Sequence, residues 1–396
     1  MLKGLPGRRT RAEIDLDAVA HNIALLRDAA GGAGVIFPVK ADGYGHGMIE
    51  VARRAVTEGV TLLAVANAQE LFRLRELDID HPTLILEDLF DEELQAAVQD
   101  AGARFNVSSP EYAQKLSAAA ARRGESREVA TLGPIKVHVN IDTGMGRMGL
   151  LSPDPVAAVR EISTLPGIEI EGIFSHFPAA DEADTSFAGE QLRSFRDLLR
   201  RLEAEGVRPR FSHIANSAGI ITFGKESAFD LIRPGVSAYG MFPSRQVAEK
   251  MVDRLELRPV LTLLSAVVKV TRYDRPWTVG YGRSYTVGPG SRIAVIPVGY
   301  GDGYRRALSN NGAVVLHGRR LPVVGRVSMD MITVDTTDLP EDVAPGDEVV
   351  LIGTQKWRDR RATVTAEEMA EQVGTISYEI SCGFTSRIPR IYRPRA

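Results

Sequence analysis

The sequence predicts an α/β protein in which a TIM-type (β/α)8 barrel is followed by a mostly β domain. Over the first two thirds of the chain, short apolar runs alternate with amphipathic stretches, a pattern typical of parallel βα units. Beyond about residue 242, Gly, Pro and Asp separate the apolar runs, and no long helix is predicted before 365–373. The length of 396 residues also exceeds what one ordinary core fills. We therefore predict a barrel over 12–242 and a β-rich domain over 243–396 that includes 1–11.

Eight apolar runs are the predicted barrel strands, and eight is the number that closes a βα barrel. They are 35–39, 61–65, 83–86, 104–107, 135–141, 170–174, 211–214 and 229–232. Helices are expected between them, because Asp15 is a typical N-cap and Ser109 followed by Pro110 is a typical helix start. The segment 12–16 fits a strand of either domain. In the second domain we predict a linker helix at 245–254 and strands at 261–270, 292–298, 313–316, 321–324, 332–334 and 348–352.

The charge balance restricts the class of partner. With 48 Lys+Arg and 51 Asp+Glu the net charge is −3, so the basic excess typical of nucleic-acid or anionic-membrane binding is missing. The sequence has no apolar stretch of membrane-spanning length, and its N-terminus lacks the apolar core of a signal peptide. The single cysteine, Cys382, cannot form an intrachain disulfide and is interpreted as a packing residue. We expect a cytoplasmic protein with a small-molecule partner.

Lys40 ends the apolar run 35–39 and begins a glycine-rich stretch. Burying an ammonium costs several kcal/mol unless it is paired or chemically consumed, and a Schiff base to an aldehyde cofactor removes the bare amine. This placement points to pyridoxal phosphate. The alternative is a lysine whose stem covers the strand end while its amine reaches water.

Two loops after the last predicted barrel strands are typical of phosphate sites. In βα barrels these loops commonly bind phosphate through backbone N–H groups and a hydroxyl. The first loop contains Asn216 and Ser217, the second contains Gly235 and Val236, and Tyr44 offers a further hydroxyl. Taken singly, each loop also fits an ordinary turn.

Three further polar residues follow predicted strands. Arg233 needs an acceptor, and the pyridine nitrogen of the cofactor is a suitable one; pairing with Asp230 or Glu226 is the alternative. Because a guanidinium stays protonated, it would leave the ring a poorer electron sink than an acidic partner would. Arg147 is available for a carboxylate or for the phenolic oxygen of the cofactor, and His176 for the cofactor or Arg233.

Nine segments spread over nearly the whole chain carry a family resemblance. They include Val-Lys-Ala-Asp-Gly-Tyr-Gly-His-Gly at 39–47 and Ile-Asp-Thr-Gly-Met-Gly-Arg-Met-Gly at 141–149, and the others are 175–177, 216–219, 233–240, 280–285, 297–303, 325–330 and 378–390. Through these residues the chain resembles the bacterial alanine racemases, fold-type III pyridoxal-phosphate enzymes. The resemblance implies interconversion of L-alanine and D-alanine, with D-alanine supplied for peptidoglycan.

The resemblance also implies a two-base reaction in a homodimer. Lys40 would act on one face of the substrate Cα and Tyr281 on the other. In the family the partner subunit completes the active site, so Tyr281 would act across a head-to-tail interface. His176 and Arg233 would help this phenol, whose ordinary pKa is about 10, to work near neutrality.

Further site residues are implied in the same way. The Met329 backbone N–H and Arg147 would hold the substrate carboxylate, and Asp330 would lie near the entrance. Tyr300 and Tyr378 would narrow that entrance, and Tyr378 would also reach the phosphate. Without the resemblance, both tyrosines would be interpreted as β-domain core.

One departure from the family bears on specificity. Many relatives have a carboxylated lysine immediately before Ile-Asp-Thr-Gly-Met, whereas this chain has Asn140, which cannot be carboxylated. A guanidinium beside a neutral amide favours an anion, so we expect chloride near Asn140 and Arg147. Because Asn140 resembles the residue in some broad-specificity racemases, a racemase of larger amino acids remains an alternative. A non-catalytic pyridoxal-phosphate carrier, built from a barrel alone, and a fold-type III decarboxylase, with an acidic residue facing the pyridine, are the others.

Overall fold

The computed structural model describes residues 9–124, 132–251 and 253–393. In its first part, strands and helices alternate. The strands are β1 (Arg11–Asp15), β2 (Gly34–Pro38), β3 (Leu62–Val65), β4 (Thr83–Ile85), β5 (Ala103–Val107), β6 (Ile135–Asn140), β7 (Ile168–Phe174), β8 (Phe211–His213) and β9 (Leu231–Ile232). The helices are α1 (Leu16–Ala29), α2 (Lys40–Tyr44), α3 (Met48–Thr57), α4 (Ala68–Arg75), α5 (Asp91–Ala97), α6 (Pro110–Gly124), α7 (Pro155–Ser163), α8 (Ser186–Ala204), α9 (Ser217–Phe223) and α10 (Lys225–Ala228).

Strands β2 to β9 form one parallel sheet in the order β8-β7-β6-β5-β4-β3-β2-β9. The ring closes between β8 and β9, where Asp230 N donates to Ser212 O (3.1 Å) and Arg233 N donates to Ala215 O (2.8 Å). Each of the eight predicted strands is found, with ends that differ by one or two residues. The predicted barrel is therefore confirmed.

The side chains inside the ring divide into an apolar half and a polar half. On β2, β3, β4 and β9 they form a small apolar cluster of Ile36, Leu62, Ala64, Leu84 and Leu231. On β5 to β8, several strand residues are polar and buried, namely Arg104, Asn106, His138, Glu171 and His213. Other faces of the same strands pack against the helices in the main apolar core. The polar half was not predicted.

The second part of the chain is mostly β, as predicted. Its strands are β10 (Leu261–Ala266), β11 (Lys269–Arg272), β12 (Trp277–Val279), β13 (Tyr285–Val287), β14 (Arg292–Ile296), β15 (Ala313–Leu316), β16 (Arg319–Val324), β17 (Ile332–Asp335), β18 (Glu348–Trp357), β19 (Arg360–Val364) and β20 (Arg390–Arg393). Its helices are α11 (Arg245–Met251), α12 (Ala366–Val373) and α13 (Ser377–Cys382). One sheet runs in the order β11-β14-β17-β16-β15-β18-β10-β1-β20, with β19 paired to β18, and β12 and β13 form a separate hairpin.

Strand β1 belongs to this second sheet, although it precedes the barrel in the chain. It pairs antiparallel with β10 and parallel with β20. The predicted domain boundary between residues 11 and 12 therefore falls inside a strand. Residues 1–8, which were predicted to belong to the second domain, lie outside the described ranges.

The predicted strand at 261–270 is two strands. Ala266 at the end of β10 pairs with Glu348, whereas Lys269 at the start of β11 pairs with Val295. The chain changes partner strand between them, so the apolar run continues while the strand does not. Nothing in the local sequence encodes that change of partner.

The second part of the chain packs against the barrel just after Lys40. A Cβ on Gly45 would lie 2.0 Å from the carbonyl oxygen of Ser381 in α13. Arg390 Nε donates to the Gly45 carbonyl (3.1 Å). The first contact places α13 beside the turn that follows β2, at the C-terminal ends of the barrel strands, and the second joins β20 to the same turn. Among the helices of the described ranges, none combines the length and apolar composition that a membrane span requires.

Candidate active site

The C-terminal ends of the barrel strands surround a cavity of about 470 Å³. Ten residues predicted from the sequence line it: Lys40, Tyr44, Asn140, Arg147, His176, Asn216, Ser217, Arg233, Gly235 and Tyr378. Tyr378 lies on α13 and the others come from the barrel, so both parts of the chain form the cavity. Val236 follows Gly235 and is fully buried.

The short segment α2 is a left-handed turn that begins after Lys40 and not a right-handed helix. Ala41, Asp42 and Gly43 have φ of 53°, 54° and 61° and ψ of 50°, 45° and 48°. A non-glycine residue in this region costs about 1–2 kcal/mol, so neighbouring groups must stabilise the turn. Glu70 Oε1 accepts a hydrogen bond from Ala41 N (2.7 Å), and Asp42 Oδ1 accepts one from Met48 N (3.0 Å). The turn was not predicted.

The surroundings of the Lys40 amine disfavour its charged form. Burial lowers the pKa of Lys40 and the positive charge of Arg147 lowers it further, while the carboxylate of Glu70 raises it. The amine is therefore neutral more often at a given pH than an exposed lysine. Only a neutral amine acts as a nucleophile or a base, so this environment suits either role.

Tyr44, Ser217 and Gly235 lie together in the cavity wall. Ser217 begins α9, whose N-cap Asn216 accepts a hydrogen bond from Gly219 N (2.9 Å). A Cβ on Gly235 would lie 2.9 Å from the Tyr44 hydroxyl oxygen, so glycine allows this close approach. Among the described residues, none accepts the backbone N–H of Gly235 or Val236. Hydroxyls beside unpaired N–H groups suit an anion such as phosphate.

Arg233 is buried among hydrogen-bond acceptors. Its Nη2 donates to the Ser175 carbonyl (2.6 Å) and to His176 Nδ1 (3.2 Å), and its Nη1 contacts His213 Nδ1. Burial and the charge of Arg147 lower the pKa of Arg233 to about 9, so the guanidinium stays protonated near neutrality.

His176 makes the predicted contact with Arg233. Burial and the charges of Arg233 and Arg147 lower the pKa of His176 well below its usual value, so the ring is neutral near pH 7. Because Nδ1 accepts from Arg233, the ring hydrogen lies on Nε2. Asp230, an alternative partner predicted for Arg233, instead accepts hydrogen bonds from Ser212 N (2.8 Å) and Ser212 Oγ (2.7 Å).

Arg147 projects from a loop that Asp142 stabilises. The Asp142 carboxylate accepts the backbone N–H groups of Gly144 (2.8 Å), Met145 (2.9 Å) and Gly146 (2.8 Å). The Arg147 side chain is exposed and has no hydrogen bond or ion pair within the described ranges. Asn140 Nδ2, at the base of the loop, donates to the Met148 carbonyl (3.2 Å). A cation without an internal partner suits an anionic ligand.

Known proteins share both the sequence and the fold. Residues 14–243 match the family described as alanine racemase, N-terminal domain, and residues 260–392 match alanine racemase, C-terminal domain. Alanine racemase 2 of Caldanaerobacter subterraneus subsp. tengcongensis is 40% identical over 387 residues, 97% of this chain and 95% of that protein. This chain belongs to the alanine racemase family.

Solved alanine racemases have the same fold. The structure from Clostridium difficile 630 has a TM-score of 0.87 and 34% identity, covering 98% of this chain and 96% of that one. The structure from Bartonella henselae, described with covalently bound pyridoxal phosphate, has a TM-score of 0.83 and 27% identity, covering 98% of this chain and 100% of that one.

Four residues that the alanine racemase resemblance implicates do not line this cavity. Tyr281, Tyr300 and Met329 lie in the second part of the chain and are 69%, 42% and 53% exposed. Asp330 is also exposed and pairs with Arg387 (2.6 Å). A single chain therefore does not bring Tyr281 into the cavity with Lys40, or Tyr300 into the cavity with Tyr378.

Two residues near Lys40 were missed or misread from the sequence. Glu70 binds Ala41 N, and its only local signal was the helix start Asn67-x-x-Glu70, where Asn67 Oδ1 accepts from Glu70 N (3.0 Å). Cys382, interpreted as a packing residue, is instead exposed and lines the cavity at the end of α13. Because α13 was not predicted, the sequence did not locate Cys382 near Lys40.

Proposed function

We propose that this chain is an alanine racemase that interconverts L-alanine and D-alanine with pyridoxal phosphate. The observation that carries the proposal is one cavity containing Lys40, the buried Arg233 and the anion-type wall of Tyr44, Ser217 and Gly235. Its membership of the alanine racemase family, through both domains, supports the same reaction.

The anion-type wall suits the phosphate of this cofactor. The hydroxyls of Tyr44 and Ser217 and the N–H groups of Gly235 and Val236 would hold it, because no described residue accepts a hydrogen bond from any of them. A side chain at position 235 would fill the space beside the Tyr44 hydroxyl. Asn216 and Tyr378 line the cavity next to these groups and would complete this end.

Lys40 and Arg233 suit the reactive end. When bound, the cofactor supplies an aldehyde that captures amino groups and a ring that stabilises negative charge at Cα. The Lys40 amine, with its lowered pKa, would hold that aldehyde and then take or return the Cα proton on one face. Arg233 would donate to the pyridine nitrogen and His176 would contact the ring. Because Arg233 stays protonated, it would donate a hydrogen bond to the pyridine nitrogen without transferring its proton, so the ring would be a weaker electron sink than with an acidic partner.

We infer that the second base, Tyr281, comes from the partner subunit of a head-to-tail homodimer. A phenol that is 69% exposed on its own chain has the access that this role requires. Tyr300 and Met329, also exposed, would reach the same cavity, where the Met329 N–H and Arg147 would bind the substrate carboxylate. Tyr300, Tyr378 and Asp330 would then limit the space for the side chain at the entrance.

We propose further that chloride lies near Asn140 and Arg147. The Asn140 amide is neutral and its nitrogen faces the Arg147 loop, where it donates to the Met148 carbonyl. Arg147 has no anionic partner in the described part of the chain. An anion between the two would orient the guanidinium toward the substrate carboxylate.

The alternatives are not favoured. The barrel-only carrier has no counterpart of the matched second domain at 260–392, and the decarboxylase would carry an acidic residue where Arg233 lies. The named relatives are alanine racemases rather than broad-specificity racemases. Supply of D-alanine to peptidoglycan and a cytoplasmic location stay predictions, which complementation of a D-alanine auxotroph and cell fractionation would check.

The direct test is chiral chromatography of products after the cofactor-loaded protein is incubated separately with L-alanine and with other L-amino acids. We expect D-alanine to form far faster than any other D-amino acid. Comparable racemisation of larger amino acids would support the broad-specificity racemase, and no racemisation would overturn the proposal.

A further inference from the structure

A continuous chain of buried polar side chains runs through the barrel interior and ends at Arg233. Glu171 on β7 accepts from Arg104 Nε (3.0 Å) and Lys136 Nζ (3.1 Å). The other members are His138, whose Nε2 lies 3.4 Å from Glu171 Oε2, and His213, whose Nε2 lies 2.8 Å from His138 Nδ1. His213 Nδ1 then contacts Arg233 Nη1.

The hydrogens in this chain can point in only one direction. A carboxylate only accepts, so His138 carries its hydrogen on Nε2, toward Glu171. The neutral His138 ring must then accept at Nδ1, so His213 carries its hydrogen on Nε2. His213 Nδ1 is left as an acceptor, which is what the guanidinium of Arg233 requires.

The charges along the chain agree with this direction. Burial raises the pKa of Glu171, but the hydrogen bonds from His138, Lys136 and Arg104 and the charge of Arg104 outweigh it and lower that pKa to about 2. Burial lowers the pKa values of both His138 and His213, so the two rings are neutral. An ionised carboxylate at one end and a protonated guanidinium at the other therefore face two neutral imidazoles.

The backbone of β7 and the ring of Phe174 pack against the two imidazoles. A Cβ on Gly172 would lie 2.4 Å from His138 Nδ1, so the ring packs directly on the backbone of β7. The Phe174 ring stacks on His213, with centroids 4.9 Å apart and planes 11° apart. The same Phe174 ring lies 5.0 Å from the Arg233 guanidinium carbon. Both imidazoles are fully buried.

We propose that Glu171 and His138 are positioning residues for Arg233. They do not line the cavity, and they act by presenting His213 Nδ1 permanently as an acceptor, so that Arg233 keeps one orientation toward the cofactor ring. The inference rests on the proposed function, because Arg233 is assigned to the pyridine nitrogen there.

The test compares Glu171→Gln with the matched control Glu169→Gln, which removes an exposed carboxylate from the same strand. A glutamine amide both donates and accepts, so it no longer opposes the reversed direction, in which the His213 Nδ1–H would repel the N–H groups of Arg233 and the guanidinium would turn away. We expect 15N NMR of the full-length, 15N-histidine-labelled protein to show His213 as the Nε2–H tautomer alone in wild type and Glu169→Gln, and as a mixture in Glu171→Gln. A His213→Gln variant assigns the signal among the seven histidines.

Kinetics provide the second measurement. Because a misplaced guanidinium affects the chemical step and not substrate capture, we expect kcat for alanine to fall roughly ten- to hundredfold in Glu171→Gln, with KM little changed. Glu171→Asp, which still only accepts, should restore the single tautomer and most of kcat.

The wild-type spectrum is itself decisive, even where Glu171→Gln fails to fold. An Nδ1–H tautomer at His138 or His213 in the wild type would overturn the proposal, and so would an unchanged His213 tautomer or an unchanged kcat in folded Glu171→Gln. The tautomers do not depend on turnover. A protein that does not racemise alanine but shows the expected tautomers would therefore contradict the proposed function and support the inferred direction of the hydrogen bonds.

Discussion

The carboxylate of Glu70 binds the backbone N–H of Ala41, the first left-handed residue after Lys40, at 2.7 Å. Its second oxygen accepts from Ala66 N, also at 2.7 Å. One side chain at the start of α4 therefore joins the ends of two neighbouring barrel strands. The same carboxylate raises the pKa of Lys40, against the larger lowering by burial. Glu70 thus affects both the position and the protonation of Lys40.

Glu70→Gln should lower the pKa of Lys40 further, because it removes the negative charge that raises it. If neutral Lys40 is required for proton abstraction, the acidic limb of the kcat profile, which reports groups in the substrate complex, should move to lower pH. The amide also places a donor against a backbone N–H, so we expect a loss of about 1–3 kcal/mol in the free energy of unfolding. A pH profile and chemical denaturation would measure both, with the exposed Glu92→Gln as control. An acidic limb that stays in place or moves to higher pH would contradict this account.

Tyr281→Phe should lower racemisation by about 10²–10⁴-fold, the usual contribution of a general base, while cofactor binding stays intact. The loss should be far larger for proton abstraction from one enantiomer than from the other. Exchange of the Cα hydrogen in ²H₂O, measured separately for L-alanine and D-alanine, would show this. Tyr273→Phe in the same part of the chain is the control. Equal losses for both enantiomers would rule out the two-base assignment.

Mixed dimers should test whether the active site is shared. Lys40→Ala and Tyr281→Phe homodimers should each be nearly inactive. If Tyr281 acts on the partner's cavity, each heterodimer regains one intact site, and random mixing should restore about one quarter of wild-type activity. The measurement is the racemisation rate of differently tagged, co-expressed variants. No recovery in verified heterodimers would mean that both bases come from one chain.

Removal of chloride should raise KM for alanine, because Arg147 would lose the anion that orients it. An effector coupled to a ligand site usually changes affinity by at least about fivefold, and we expect that magnitude here. Kinetics in gluconate and chloride buffers of equal ionic strength would measure the change, and Asn140→Ala should respond less. Indifference of the wild-type protein to chloride would indicate that a protein group orients Arg147.

Gly235→Ala should weaken binding of pyridoxal phosphate. The added Cβ would lie 2.9 Å from the Tyr44 hydroxyl oxygen, so one of the two groups must move out of the anion-type wall. An overpacking cost of about 1–3 kcal/mol corresponds to a roughly ten- to hundredfold higher dissociation constant. Fluorescence titration of the cofactor would measure it. Gly288→Ala, whose Cβ would meet no atom within 4 Å, is the control and should bind as wild type.

Part of the polar barrel interior could have been predicted from the sequence. Strand β6 reads Ile-Lys-Val-His-Val-Asn and β7 begins Ile-Glu-Ile-Glu, with a polar residue at every second position. A strand of a closed parallel barrel is covered on both faces, so this alternation indicates polar side chains inside the ring. The connection of His138 to Glu171 and His213 could not be predicted, because it depends on how three strands are positioned relative to one another along the barrel axis.

The sequence by itself determined the number of barrel strands and the β-rich second domain, and it predicted Lys40, Ser217, Arg233 and Gly235, which line one cavity. These follow from local signals, since apolar runs, turn residues and charged strand ends are properties of neighbouring positions. Only the tertiary structure decided that β1 joins the second sheet, that Ala41 and Asp42 are left-handed, and that Cys382 lines the cavity. Each depends on a partner distant in the chain, such as β10, Glu70 or the barrel itself, which no local pattern specifies.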